Sequence, residues 1–339
     1  MGLILSVASA LIMSVNLLVA AALAGLLLRK RSQSWCFVLN LALADALVGV
    51  AITGLAAEDF RQDQNQNRLD LNASSAAGKS RCLLRMSFVM APCTASILSV
   101  FLISLDRYAA IKMPLQYSLL AGRSRAAAAA LLALWIGAAM VGFAPVMVKQ
   151  LQSRRIYGGY CALFAVVDEV GIIALFSTCF FPVLGLFVYV YLDILKIACG
   201  HHRQICRDRQ ASRGPAEQRC RRRQLRSFCW ARVKALRTVG VLVGSIVLLW
   251  CPFFVVCVVH TLCEGCGLRD ELEGALFLLG LCNSLVNPLA YAVWQGEVRL
   301  QLAAMFSCAW SRAASLGGVT RTCDRPETHN PNLPATSNV

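Results

Sequence analysis

Residues 102–111 read LISLDRYAAI, so a carboxylate, a guanidinium and a phenol at Asp106, Arg107 and Tyr108 interrupt an apolar run. An adjacent Asp and Arg neutralise each other where a helix leaves the hydrocarbon, and taken alone the pair reads as an interfacial ion pair that snorkels to the head groups. Asp45, at the end of LNLALAD, is a second carboxylate in an apolar run, without a basic neighbour in its own stretch. An isolated carboxylate there needs a cation, a proton or a network of hydrogen bonds. Asn16, Asn40, Ser96, Asn283, Ser284 and Asn287 are the polar residues expected at similar depth. Two readings stay open: a hydrated cluster that holds a small cation such as sodium, or a polar knot that only ties helices together. An enzyme would need a convergent nucleophile and base, or a set of metal ligands. All four histidines, His201, His202, His260 and His329, fall in loops, the tail or a helix end, so no catalytic group, metal site or prosthetic group is expected.

The elements that must position these groups follow from composition. Of 339 residues, 58% are hydrophobic and 15% charged, an apolar share above that of a water-soluble domain. A helix needs about 20 apolar residues to cross the hydrocarbon core. Seven stretches qualify, roughly 3–28, 35–57, 83–105, 126–148, 170–198, 235–262 and 272–294. The first is longer than a signal peptide's apolar core and lacks a basic segment before it, so it is expected to be retained as a helix. Lys and Arg concentrate in the loops that are internal if the N-terminus is outside, which predicts an extracellular N-terminus in the plasma membrane and a cytoplasmic C-terminus. The net charge of +15 sits mainly in HHRQICRDRQASRGPAEQRCRRRQLR, beside two spans. That placement points to anionic membrane lipid and away from nucleic acid.

The expected fold class is therefore an all-α membrane protein, a bundle of seven transmembrane helices. EVRLQLAAMFSCAW, after the last span, places Val298, Leu302, Met305, Phe306 and Ala309 on one face, as in a short amphipathic eighth helix on the inner leaflet. Cys308 near its end is a candidate for palmitoylation. Residues 1–308 are expected to make one seven-helix unit with its juxtamembrane helix, and 309–339, rich in Pro, Thr and Asn, read as a disordered cytoplasmic tail. Asn72-Ala73-Ser74 in the first outer loop is a glycosylation sequon. Cys82 and Cys161 lie where a bridge would tie the second outer loop over the bundle mouth, and Cys263 and Cys266 form a CxxC suited to a short extracellular disulfide. Cys36, Cys93, Cys179, Cys251, Cys257 and Cys282 read as small buried hydrophobes.

Asn16, LNLALAD, Cys82, DRY at 106–108, Trp135, Pro182, LWCP at 249–252 and NPLAY at 287–291, in this order over seven spans, resemble the rhodopsin-class G-protein-coupled receptors. That resemblance implies a small-molecule agonist, a heterotrimeric G protein as partner, and a switch built from Asp106, Arg107, Tyr108, Asn287, Pro288 and Tyr291. It implies the polar cluster of Asp45, Ser96, Asn283, Ser284 and Asn287, and a toggle at Trp250. Pro182, Pro252 and Pro288 each remove a helical hydrogen bond and supply hinges. One departure concerns the start of the sixth span, where many relatives carry an acid to hold the DRY arginine; here Arg232 and Lys234 stand. Ligand-independent signalling is expected for that reason. A transporter or channel of seven helices is the alternative, but the two halves show no inverted repeat.

Val89 stands where amine receptors carry an acid, and residues 272–294 lack the lysine that would hold retinal. Two or three residues before the first span are too few to hold a large peptide. The expected pocket walls, Val89, Met90, Cys93, Phe164, Trp250, Phe253, Phe254 and Phe277, are mostly apolar and suit an acyl chain. Asp59, Arg85 and Glu273, near the outer ends, are placed for a polar head group or for solvated rim charges. FVLNLALAD, LRMSFV, KALRTVGVLVGS and LCNSLVNPLAYAVWQGEVRLQL are similar to the members of that class that sense lipid amides and lysophospholipids. That narrower resemblance implies an N-acylethanolamine such as oleoylethanolamide as agonist, the stimulatory G protein and a rise in cAMP.

Overall fold

A computed structural model describes residues 2–30, 32–65, 76–113, 117, 124–154, 157, 161–168, 170, 171, 173, 178–193, 196, 217–263 and 272–316. Asn72 and Cys266 lie outside them, and Glu273 is described for its backbone alone.

Six helices among the described residues are long and apolar enough to cross a membrane. They are α1 (Gly2–Lys30), α2 (Gln33–Asn65), α3 (Ala76–Lys112), α4 (Ser124–Met147), α6 (Glu217–Leu262) and α7 (Gly274–Trp294). Between α4 and α6 the shorter apolar helix α5 (Thr178–Asp193) occupies the fifth expected span. Helix α8 (Gly296–Leu316) follows α7 after a break at Gln295, whose backbone is extended. The chain is a seven-helix bundle with an eighth helix beside it.

The helices form because apolar residues with few chain breakers fill long runs, and in hydrocarbon a helix satisfies every backbone polar group locally. Prolines sit inside α3 (Pro92), α4 (Pro145), α6 (Pro252) and α7 (Pro288). The start of α7 widens into a π-helical turn over Leu272–Leu276. At about 1.5 Å per residue, the 46 residues of α6 exceed twice the hydrocarbon thickness, so its basic first half stands outside the membrane.

The bundle is apolar on both faces. Leu23, Leu41, Ile52, Leu242 and Ile246 are fully buried between helices, whereas Leu248, Leu132 and Leu3 point outward, as lipid-facing side chains do. α1 packs along α2, α3 lies between α2 and α4, and α8 lies against α1 and α7. The α1–α8 contact includes a Lys30–Glu297 ion pair at 2.7 Å. α3 and α4 meet closely at Gly142, where an added Cβ would lie 2.5 Å from the Ala91 backbone nitrogen.

The structure corrects three sequence expectations. Of the six cysteines read as buried, Cys93 and Cys257 are buried, Cys36, Cys179 and Cys251 are half-buried, and Cys282 faces outward, because a small apolar side chain is equally at home against lipid. On α8, Val298 is buried and Leu302 and Met305 are half-buried, but Phe306 is exposed, so the inward stripe is narrower than its sequence spacing suggests. The helix continues to Leu316, past residue 308, because Arg299 to Leu316 contains no proline or glycine to stop it.

Candidate functional site

The bundle places its polar residues in three layers. In the middle layer, Asp45 on α2 is fully buried. Its Oδ1 accepts from Ser284 Oγ at 2.8 Å and its Oδ2 from Asn287 Nδ2 at 2.9 Å. Asn287 Nδ2 also reaches Ser96 Oγ on α3 at 3.5 Å, so one carboxylate joins three helices. Asn16 on α1 donates to the Ser284 carbonyl at 2.9 Å, which adds a fourth. Asn283 departs from expectation: its Oδ1 accepts from Ser245 Oγ of α6 at 3.1 Å, because it lies one residue round the helix from Ser284 and faces α6. Among the described residues, the buried Asn287 Oδ1, Asn16 Oδ1 and Tyr291 hydroxyl have no hydrogen-bond partner. One carboxylate, two hydroxyls and an orphaned amide oxygen form a hard oxygen donor set that fits a small cation.

Nearby, Asn40 on α2 donates to Ser99 Oγ of α3 at 2.9 Å and accepts from Trp135 Nε1 of α4 at 2.9 Å. This explains the tryptophan: its N–H satisfies an amide that would otherwise be orphaned in hydrocarbon.

At the inner layer, Asp106 is buried and Arg107 Nη2 donates to its Oδ2 at 2.8 Å. Asp106 also accepts from Ser34 Oγ at 2.8 Å on Oδ2 and from the Tyr117 hydroxyl at 2.8 Å on Oδ1. Burial, followed by the neighbouring Asp106 charge, pushes the Tyr117 phenol up, which keeps it a neutral donor. The guanidinium is thus held by its sequence neighbour. Next to it, the Tyr108 hydroxyl donates to Asp193 Oδ2 of α5 at 2.8 Å. Lys112 Nζ pairs with the same carboxylate at 3.0 Å and lies over the Tyr108 ring, 4.8 Å from its centroid. Sequence reasoning missed Asp193 and Ser34; a lone acid ending the apolar run FVYVYLD was the available signal.

At the outer layer, Cys82 and Cys161 are disulfide-bonded with Cα atoms 5.4 Å apart, which ties the second outer loop to α3 as expected. That loop folds back on itself: Ser153 N donates to the Val166 carbonyl at 3.0 Å and Asp168 N to the Leu151 carbonyl at 2.8 Å. Lys79 Nζ donates to the Ser153 carbonyl. Phe164, on the single helical turn Leu163–Val166, is buried edge-on against His260 of α6, with ring centroids 5.8 Å apart. The loop is thus a packed cap over the mouth. Cys263 is also disulfide-bonded.

Beneath the cap, Trp250, Phe253 and Phe254 of α6 are buried, with Trp250 stacked on Phe254 at 5.7 Å. Phe254 meets Phe180 at 3.7 Å, and Phe253 meets Phe277 of α7 at 6.3 Å. Val89 and Cys93 of α3 are buried and Met90 is half-buried. Arg85 and Asp59 lie at the outer ends as expected, but Arg85 is paired with Glu58 of α2, a partner that sequence reasoning left among the outer charges. Pro288 and Tyr291 are buried in α7. Cys308 is half-buried.

The chain matches the model of the 7 transmembrane receptor (rhodopsin family) over residues 15–291. The human glucose-dependent insulinotropic receptor is 41% identical over 302 residues, which cover 89% of this chain and 84% of that receptor. The rat receptor of the same name is 40% identical over 305 residues, covering 90% of this chain and 61% of its own length. The rat histamine H2 receptor is 27% identical over 289 residues, with 84% of this chain and 73% of that receptor aligned. These relatives are receptors and not enzymes, and a multi-pass location in the plasma membrane goes with them. With its helices, buried polar layers and disulfide-held cap, the chain belongs to the rhodopsin family of seven-transmembrane receptors.

Proposed function

We propose that this receptor responds to a lipid amide such as oleoylethanolamide, or to a lysophospholipid, and couples to the stimulatory G protein to raise cAMP. The observation that carries the ligand class is the aromatic and aliphatic layer of Trp250, Phe253, Phe254, Phe180 and Phe277 beneath the cap. Val89, buried on α3, stands where a protonated amine would need a carboxylate. An acyl chain loses no hydrogen bonds on entering such a layer, whereas an ammonium group would be stranded. Arg85, already neutralised by Glu58, and Asp59 offer a polar end for the head group, with Glu273 a further candidate from the sequence. The two relatives of about 40% identity, named as glucose-dependent insulinotropic receptors, support placing the chain among receptors of metabolic signals.

In this reading the N-terminus is extracellular. Ligand contact at Trp250 is passed through Pro252 and the Asn287-Pro288-Tyr291 segment to the inner layer, where Arg107 leaves Asp106 and meets the G protein. The set of Asp45, Ser96, Ser284 and Asn287 would hold a sodium ion, which would supply fixed positive charge and favour the closed arrangement. Asn72 is the proposed glycosylation site and Cys308 the proposed acylation site. High basal activity follows from Arg232 and Lys234, which cannot tether Arg107.

The test is cAMP in cells expressing the wild type or Arg107→Ala at matched surface density, with and without oleoylethanolamide. The wild type should raise cAMP above untransfected cells without ligand and further with it, and the variant should do neither. An unresponsive wild type would refute the ligand assignment, and a fully active variant would refute the role of Arg107.

A further inference from the structure

We propose that Asp193 is a positioning residue for G-protein coupling: it latches the inner end of α5 to α3 through Tyr108 and Lys112. The proposal rests on the reading of this face as the G-protein side. Three observations carry it.

The carboxylate is shared in one place by two groups of a single α3 turn. Tyr108 donates to Asp193 Oδ2 at 2.8 Å and Lys112 pairs with the same oxygen at 3.0 Å. Lys112 Nζ also donates to the Tyr108 hydroxyl and covers its ring. The phenol therefore accepts from the ammonium and donates to the carboxylate, a chain in which each bond polarises the next.

The contact stands where an alternative is missing. Glu217 is the only acid among residues 217–239, which also carry Arg219, Arg221, Arg222, Arg223, Arg226, Arg232, Lys234 and Arg237. By sequence, the inner stretch of α6 offers Arg107 an excess of like charge in place of a carboxylate partner. Among the described residues, the charge pairing that joins the inner end of α3 to a helix beyond it is the one with α5. The Asp106–Arg107 ion pair, in contrast, lies within α3, and Asp106 reaches α2 through the neutral Ser34 hydroxyl.

The pairing is also poised to break. Asp193 is 25% exposed and Lys112 46% exposed, so water can take over both charges. A pair of this exposure is worth little in free energy, which suits a catch that agonist binding must release. When it opens, Tyr108, next to Arg107 in the chain, and Lys112, just over one turn beyond it, become free donors on the inner face.

The experiment uses the full chain in cells, with surface density measured through an epitope tag and ligand-independent activation followed by energy-transfer sensors for every Gα class. Asp193→Asn should raise basal activation about fivefold, the population shift expected from losing one charged, half-exposed hydrogen bond. The exchange Asp193→Lys with Lys112→Asp should bring it back toward the wild-type level. In nanodiscs, the distance between labels on noncanonical residues at Met113 and Leu192 should lengthen in Asp193→Asn and shorten again in the exchange. A longer distance supports the latch even if the stimulatory sensor is silent, which would count against the coupling assignment instead. An unchanged distance overturns the latch, as does an exchange that behaves like Asp193→Asn. Should Asp193→Asn fail to reach the surface, Tyr108→Phe removes one bond and keeps the ion pair; a distance equal to the wild type there overturns the proposal too.

Discussion

Gly280 of α7 lies directly against Trp250 of α6: a Cβ at residue 280 would sit 2.7 Å from two carbons of the indole six-membered ring. The missing side chain is what lets the indole occupy its buried position between the aromatic layer and α7. Gly280→Ala should therefore displace Trp250 and change basal cAMP at matched surface density by severalfold, while Gly244→Ala, at a glycine with open space around its Cβ, should not. Equal basal cAMP in both variants and the wild type would show that the indole position does not set activity.

Gly142 makes a tighter constraint, because the obstacle is backbone. A Cβ there would lie within 2.6 Å of the Ala91 nitrogen, Cα and Cβ, and neither helix can yield by turning a side chain. Gly142→Ala should destabilise the bundle by about 2 kcal/mol, in the range for overpacking. The measurement is the melting temperature of the detergent-purified receptor; Gly137→Ala, with open space, is the control that should melt like the wild type.

Asp45→Asn replaces a carboxylate that accepts from Ser284 and Asn287 with a neutral amide. The amide can keep one of those bonds but offers no charge to a cation. If sodium binds there, raising NaCl against a matched choline salt should lower basal activation in the wild type and leave the variant unaffected. Sodium sensitivity that survives in Asp45→Asn would place the cation elsewhere.

Tyr117→Phe removes one of the donors to Asp106 and loosens its hold on the closed arrangement. Because burial raises the Tyr117 pKa, the phenol stays protonated wherever a free tyrosine would. Its bond is fully present below the ordinary value near 10 and is lost only as pH rises past the raised one. Basal activation should therefore rise in Tyr117→Phe by a similar factor at pH 6.5 and pH 8, and a difference that vanishes at pH 8 would mean that the phenol ionises in the physiological range.

Several features were legible without coordinates, each for a local reason. The spans follow from runs of apolar residues, and the CxxC and the DRY and NPLAY segments are local patterns. The Asp106–Arg107 pair was readable because the two residues are adjacent, and the Asp45 cluster because a carboxylate in hydrocarbon demands partners. The break before α8 was less so, since Gln295 carries no strong stop signal of its own.

What the chain by itself determined is which residues must be buried in a membrane and which of those are too polar to be left alone there, because transfer free energy is a property of composition and run length. Only the tertiary structure decided the partners. Asn283 turned to Ser245 rather than Asp45, Arg85 to Glu58, Tyr108 and Lys112 to Asp193, and Cys282 to lipid. Partner choice depends on how each helix is rotated and how closely it approaches its neighbours. Those angles are set by packing between segments far apart in sequence, at contacts such as Gly142 on Ala91 and Gly280 on Trp250, where a fraction of an ångström decides which side chains meet.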